Sequence, residues 1–356
     1  MPRPGATVQT EHMSDIQILA LDPADGDLVS GAFEVLRAAH AADAPEAPAP
    51  HEGKFRLGLI HPVPDEDQAI HLAVRDGAVL GLADAGYPNR ENLHFGWATI
   101  TVHPEHRRQG VGSALLDAFI ADAKGRGRTT LTLDTRMTWE DGIERSDAGR
   151  RFAEKHGFES ALTWINRRCA VDALDAAAEQ ELLEKSQAAA GDAYEIISWI
   201  GRTPEHLVDT MARIDSTILA EVPLGDLELE PETIDAELKH AKADRNEAMG
   251  VIPIQTIAVD RATGEAVANT AVFAYDDPEY TDAFQGITIV NPEHRGHRLG
   301  TLLKILNLRL VRENYPAVRT IWTDNADVNA PMIGINVILG YEILDAGAEF
   351  QRKFAA

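Results

Sequence analysis

Apolar and polar positions along this chain follow two periods, 2 and about 3.6, and they switch in the same order twice. Residues 16–21 (IQILAL) predict a first strand, and 27–42 predict a helix with Val29, Phe33, Val35 and Leu36 on or near one face. Residues 41–53 (AADAPEAPAPHEG) predict a Pro/Ala loop. Residues 69–75 and 78–87 predict a hairpin around the tight-turn pair Asp76-Gly77. A strand ending at Val102, a helix at 113–124, a strand at 129–135, a loop at 136–146, a helix at 147–156 and a last strand at 161–169 complete the unit. Residues 171–190, rich in Ala, Glu and Gln, predict a connecting helix.

The order then begins again. Residues 194–200 (YEIISWI) repeat the first strand, 204–219 the first helix, and 256–260 with 265–275 the hairpin, with Thr263-Gly264 at its turn. The firmest anchor is PEHRRQGVG at 104–112 against PEHRGHRLG at 292–300, an ungapped offset of 188 residues. Gly157-Phe158 answers to Gly340-Tyr341 at an offset of 183. The expected division is a disordered leader at 1–14, a first domain at 15–170, a helical linker at 171–192 and a second domain at 193–356.

The stretch VHPEHRRQGVGSALL from Val102 carries the most chemistry. A strand ends at a proline, and two glycines sit where an amphipathic helix begins. Helix-start N–H groups lack intrahelical acceptors and carry the positive end of the dipole, so a turn without side chains suits a phosphate there. Gly110 and Gly112 permit close approach, Arg107 and Arg108 add charge, and Ser113 offers a cap and a hydroxyl. The spacing is neither a dinucleotide fingerprint nor a P-loop. It resembles the acetyl-CoA signature of the GNAT acetyltransferase superfamily, Gln/Arg-x-x-Gly-x-Gly/Ala after a strand and Val-x-Pro.

That resemblance implies an α/β fold of two tandem GNAT domains, each a mixed, mostly antiparallel sheet flanked by helices, with a parallel strand pair that splays after a bulge. Two such domains in one chain are similar to actinobacterial tandem GNAT proteins, mycothiol synthase among them. The splayed strands would end at Val102 and Thr135, and at Val290 and Asn325. Acetyl-CoA, as cosubstrate, would lie along Ile100 and Val102, with its pyrophosphate at Arg107, Arg108, Gln109, Gly110, Val111, Gly112 and Ser113. The second copy offers Val290, Arg295, Arg298, Gly300 and Asn325. Arg298 stands where the first glycine belongs, so the first copy is the safer site.

Many GNAT enzymes place a thiolate-protonating tyrosine four residues before the Gly-Phe pair; here those positions hold Ala153 and Asn336. Asp324, Asp327 and Asn336, with Asn325 and Asn329 nearby, are candidates to orient an amine or accept its proton, and they are equally suited to caps and turns. The loop 136–146, containing Trp139, Glu140, Asp141 and Glu144, would either cover a substrate or stand as an exposed acidic loop.

Thirty-three basic and fifty-seven acidic residues give a net charge of −24, which disfavours nucleic acid and favours cationic or neutral partners. Cys169 is the only cysteine, which excludes an internal disulfide and a Cys-rich metal site. The pairs His103/His106 and His294/His297 flank prolines without a carboxylate cluster, so no metal is expected. With no membrane span or secretory pattern, the expectation is a cytoplasmic acyltransferase moving acetyl to the amine of a small molecule by direct attack in a ternary complex. Two alternatives stand beside it: aminoacyl-tRNA as donor, or one half serving only as a CoA-binding or structural module that shapes a cleft or a homodimer surface.

Overall fold

The computed structural model describes residues 15–355, so the expected leader lies outside the described residues. The first half runs β1 (Gln17–Ala20), α1 (Gly26–Asp43), α2 (Glu52–Ile60), β2 (Glu66–Arg75), β3 (Ala78–Pro88), β4 (Phe95–Val102), α3 (Val111–Gly125), β5 (Thr130–Met137), α4 (Ala148–Lys155) and β6 (Glu159–Ala170). After α5 (Ala176–Ala190) come β7 (Tyr194–Ile200), α6 (Val208–Asp215), α7 (Ile218–Glu221), α8 (Ala236–Met249), β8 (Val251–Asp260) and β9 (Ala266–Tyr275). The chain closes with β10 (Asp282–Val290), α9 (Leu299–Asn314), β11 (Thr320–Ala326), α10 (Ala330–Ile338) and β12 (Glu342–Lys353).

Local chemistry explains most boundaries. Asp25 caps α1 by accepting the Leu28 N–H at 3.1 Å. Asp76 and Gly77 both take positive φ, 50° and 80°, the pair of left-handed residues that a two-residue hairpin needs. Two helices differ from expectation: α2 occupies part of what reads as loop, and α8 adds an element that the sequence pattern does not announce.

All twelve strands form one sheet in the order β1-β2-β3-β4-β5-β12-β6-β11-β10-β9-β8-β7. Each half's last strand is inserted between the last two strands of the other half: β12 lies between β5 and β6, and β6 lies between β12 and β11. The boundaries at 170/171 and 192/193 therefore separate two copies of an element order, and the sheet itself is shared. A buried network holds the junction. Asp345, with 0% exposure, accepts from Arg136 at 2.8 Å, Arg145 at 2.7 Å and Asn166 at 2.6 Å. Trp164 lies across Gly347, where an added Cβ would fall 2.1 Å from the indole, so only glycine fits beneath it.

The neighbours β4/β5 and β10/β11 are parallel, and every other adjacent pair is antiparallel. Helix α3 packs on one face through Leu116 and Phe119 against Ala98, Leu131 and Leu133, whereas α1 packs Ala32 and Val35 against Leu72 and Leu82 on the other. Among the described residues, no helix is long and apolar enough to cross a membrane.

Candidate acyl-CoA cleft and carboxylate row

Both parallel pairs part before their strands end. β4 and β5 stay paired from Phe95↔Thr130 to Ala98↔Leu133, and β4 then continues to Val102 with only β3 beside it. β10 and β11 part after Phe284↔Trp322. The backbone edge that β4 turns toward β5 beyond Ala98 thus has no strand partner, and a buried or half-buried edge of that kind favours a guest with amide groups. One expectation needs correction. A register shift against β9, between Gln285 and Thr288, marks a bulge in β10, but β4 pairs with β3 in unbroken register, so the first cleft opens without one. The Gln285 amide fills the β10 bulge, donating to the Ala271 carbonyl at 2.7 Å and to Thr270 Oγ1 at 3.1 Å.

The turns after β4 and β10 share one backbone. Left-handed φ values fall at Arg108 (63°) and Gly110 (88°) in the first, and at Gly296 (89°) and Arg298 (54°) in the second. Each turn holds one glycine and one arginine at the two left-handed positions, in exchanged order. Arg298 therefore keeps the conformation that Gly110 has, at a cost of about 1–2 kcal/mol for a non-glycine residue there. Arg108 and Arg298 are exposed, and their guanidinium groups make no hydrogen bond or ion pair among the described residues.

Arg107 and Arg295 are held differently. Arg107 donates Nε to the Val102 carbonyl at 3.1 Å and binds Asp43 bidentately at 2.8 and 2.6 Å. Arg295 makes the same 3.1 Å bond to the Val290 carbonyl and pairs with Glu221 at 2.6 Å. These arginines lock the turn to the strand end. Gln109 donates to the Glu105 carbonyl at 3.0 Å and faces Arg75 at 3.3 Å.

The helix starts differ in access. Neither α3 nor α9 has a side-chain cap. Val111 is buried while Gly112 and Ser113 are half-open, with Ser113 Oγ 3.3 Å from His156 Nε2. Leu299, Gly300 and Thr301 are all buried, and a Cβ on Gly300 would meet Ile335 of α10 at 3.0 Å. Ile100 and Val102 are half-buried on the strand beyond the splay. The first helix start is thus the one open to an anion.

The candidate catalytic residues separate. Successive residues of β11 point to opposite faces. Asn325 is buried on the α9 side, where its Oδ1 accepts from Asn336 Nδ2 at 3.0 Å, and Asn336 Oδ1 accepts from Lys304 Nζ at 2.7 Å. Asp324 is exposed on the opposite face, and desolvation raises its carboxyl above the ordinary range. The Asp327 N–H donates to the Thr163 carbonyl at 3.1 Å, and Asn329 caps α10 by accepting the Met332 N–H at 3.3 Å. Cys169 is buried against the Leu339 carbonyl at 3.3 Å, and burial pushes its thiol up to about 11.

Lys304 was not among the expected site residues. It is 3% exposed, 4.7 Å over the Tyr341 ring, and burial pushes its ammonium down to about 7. Between about pH 7 and 10.5 the unfolded chain holds a proton that the folded chain does not, so this group makes stability rise with pH over that window and gives its full penalty below it. Lys304→Met is expected to remove a slope of up to about 1.4 kcal/mol per pH unit and to stabilise the protein at pH 6, read by urea unfolding from pH 6 to 10. Its counterpart by the turn offset is Leu116, so only the second half carries this buried polar chain.

A second group, also missed, lies on the face opposite α3. Thr99 donates Oγ1 to Asp134 Oδ1 at 2.5 Å at the point of the first splay; Asp84 sits opposite Thr99 on β3, and Glu349 sits opposite Asp134 on β12. Gln68 donates to Asp84 at 2.9 Å. Asp134 opens to solvent, yet the strands packed round it desolvate its carboxyl and raise it. Desolvation raises Asp84 and Glu349 as well, and the charge of Asp134 pushes Glu349 further. Raised carboxyls beside a cleft suit proton transfer near neutral pH. Strand alternation could have flagged Asp134; no sequence signal places Glu349, from the other half, beside it.

The loop 136–146 is pinned. Arg145 binds Asp345, Glu46 and the Asp43 carbonyl, and Ile143 N–H donates to the Leu344 carbonyl at 2.6 Å.

The sequence profile of the acetyltransferase (GNAT) domain matches residues 66–160, which span β2 through the start of β6. The mycothiol acetyltransferase of Nocardiopsis dassonvillei is 35% identical over 96 residues, covering 26% of this chain and 27% of that protein, so the chain spans about a quarter of that relative's length. A tandem GNAT protein from the clavulanic acid biosynthesis pathway, solved without acetyl-CoA, superposes with a TM-score of 0.79 at 24% identity over 96% of this chain and 99% of its own. A GCN5-related N-acetyltransferase from Sphaerobacter thermophilus gives 0.61 at 18% identity over 95% of each chain. Residues 66–160 thus match the GNAT acetyltransferase domain, and the chain has the fold of a tandem GNAT protein.

Proposed function

We propose that this protein transfers an acetyl group from acetyl-CoA to the amine of a small molecule in the cytoplasm, with the cosubstrate held by the first half. The carrying observation is the open, uncapped start of α3, with the unpaired Arg108 beside it, at the end of a strand whose β5-facing edge is free. Pyrophosphate fits the amides from Gln109 to Ser113, and the pantetheine amides fit the edge of β4. Arg107, tied to Asp43, holds the turn and leaves the phosphate to Arg108.

Transfer needs a neutral amine, because an alkyl ammonium has no lone pair to attack the thioester carbon. Asp134, or Glu349 beside it, accepts that proton; the amine nitrogen then bonds to the acetyl carbon, the C–S bond breaks, and the thiolate takes a proton from the solvent or the acetylated nitrogen. Asp134→Asn is expected to lower kcat by about 10² while acetyl-CoA affinity stays within about twofold, because the carboxylate lies on the face opposite the turn. Steady-state kinetics with a panel of small amines, alongside acetyl-CoA calorimetry, tests this. Absence of acetyl-CoA binding would end the reading.

A second reading applies to the second half alone. The buried start of α9 beneath Ile335 supports a role for that half as a partner module that contributes β12 and Glu349 to the first cleft without binding a second cosubstrate.

A further inference from the structure

Strand β6, the last of the first half, lies between β12 and β11 of the second, and it turns Ile165, Arg167 and Cys169 in alternation toward the α9 side. The end of α10 lies over this row, where the Cys169 thiol meets the Leu339 carbonyl at 3.3 Å. Arg167 is 3% exposed, its Nε is buried, and its guanidinium makes no hydrogen bond or ion pair among the described residues. Desolvation alone acts on that guanidinium and draws it below the ordinary arginine range, with no carboxylate to offset it. A buried ion without a partner is costly to folding, and an unsatisfied buried group of this kind calls for an ion that completes it.

The protein supplies no anion on this face. Thr323 of β11 and Ile343 of β12 stand directly across from Arg167, and Asn325, the next residue of β11 on the same side, is already bonded to Asn336. The acids of the flanking strands, Asp324, Glu342 and Asp345, pair in register with Asn166 or Arg168 and so point to the opposite face. Lys304 is a second buried cation and is taken up by Asn336, while burial keeps the Cys169 thiol and the Tyr341 phenol protonated. One positive charge is therefore unmatched, and its neighbours Ile165 and Ile343 are apolar. Such walls disfavour a multiply charged, strongly hydrated oxyanion, and a guanidinium is itself weakly hydrated.

We propose that Arg167 holds a small, weakly hydrated monovalent anion of the chloride class beneath α10, with the Thr323 hydroxyl as a second donor. This goes beyond the acetyl-transfer reading and rests on no part of it.

The test is urea unfolding of the full-length protein at one ionic strength, with about 200 mM gluconate, too bulky for a buried site, exchanged for chloride. Ionic strength is held constant because a chain of net charge −24 responds to screening by any salt. Chloride should lower the unfolding constant of the native chain about tenfold, the effect of a ligand at roughly ten times its Kd. Arg167→Met puts an uncharged chain in the same place and should lose that response. Crystals of the native protein soaked in bromide should show anomalous scattering at the Arg167 guanidinium, and this measurement decides the matter should Arg167→Met not fold. Equal unfolding in the two anions, an undiminished chloride response in Arg167→Met, or bromide confined to other places overturns the proposal. Acetyl-CoA takes no part in these measurements, so failure here and failure of acetyl transfer are read separately.

Discussion

Gly112→Glu is expected to weaken acetyl-CoA binding by ~10³-fold, since like charges brought together in a binding site cost several kcal/mol. The substitution puts a carboxylate on the first turn of α3, where the uncapped amides and Arg108 would otherwise meet a pyrophosphate. Steric effects are separable from charge at this position. A Cβ on Gly112 meets Phe152 at 3.4 Å and Val102 at 3.7 Å, ordinary contacts, so Gly112→Ala should bind within a fewfold of the native chain. Gly300→Glu should behave differently. That site is buried, and its Cβ meets Ile335 at 3.0 Å, so the carboxylate enters an enclosed space and the loss appears in stability. Calorimetry and thermal unfolding on all three variants check this. Equal loss of affinity from both glutamates, without a stability difference, would contradict the assignment of the cosubstrate to the first half.

Asp345→Ala should cost about 3–5 kcal/mol of folding stability, the range for removing one partner of a buried ion pair. Asp345 comes from β12 of the second half and is held by two arginines and Asn166 of the first. Arg145 is itself 6% exposed at its side chain, so the deletion leaves a buried guanidinium with only Glu46 and the Asp43 carbonyl. Because the residue sits where the halves exchange strands, the loss should appear as a single cooperative shift in urea midpoint with unchanged m. Asp345→Asn, which keeps an acceptor for one arginine, should lose less. A cost under about 1 kcal/mol would mean that the network does not hold the exchange together.

The repeat, the hairpins and the two left-handed turns were legible because their signals are local. Between two strands an Asp-Gly pair favours the left-handed turn that Asp76-Gly77 adopts, and PEHRRQGVG and PEHRGHRLG sit at the same point of two matched element orders. Partner choice among strands was not legible. β12 is buried without alternation from Leu344 to Ala348, as a central strand is, and nothing in EILDAGAEFQRK says that it pairs with β5 of the other half. For the same reason Glu349 could not be placed beside Asp134 from sequence. Helix α8 (AELKHAKADRNEAM) has two buried residues, Leu238 and Met249, too few to print an apolar stripe. Lys304 reads as one charge within a leucine-rich helix, and only the fold shows that it points inward to Asn336. The Asp324-to-Asn336 cluster looked single because its members are close in sequence; strand alternation sends Asp324 and Asn325 to opposite faces.

The most direct test of the central claim is a crystal structure of the full-length protein with acetyl-CoA. The account expects pantetheine along β4 beyond Ala98, pyrophosphate on the α3 amides within reach of Arg108, and the acetyl carbon facing Asp134 and Glu349, with no cosubstrate at the start of α9. Cosubstrate bound only in the second cleft, with Ile335 displaced from Gly300, would contradict it.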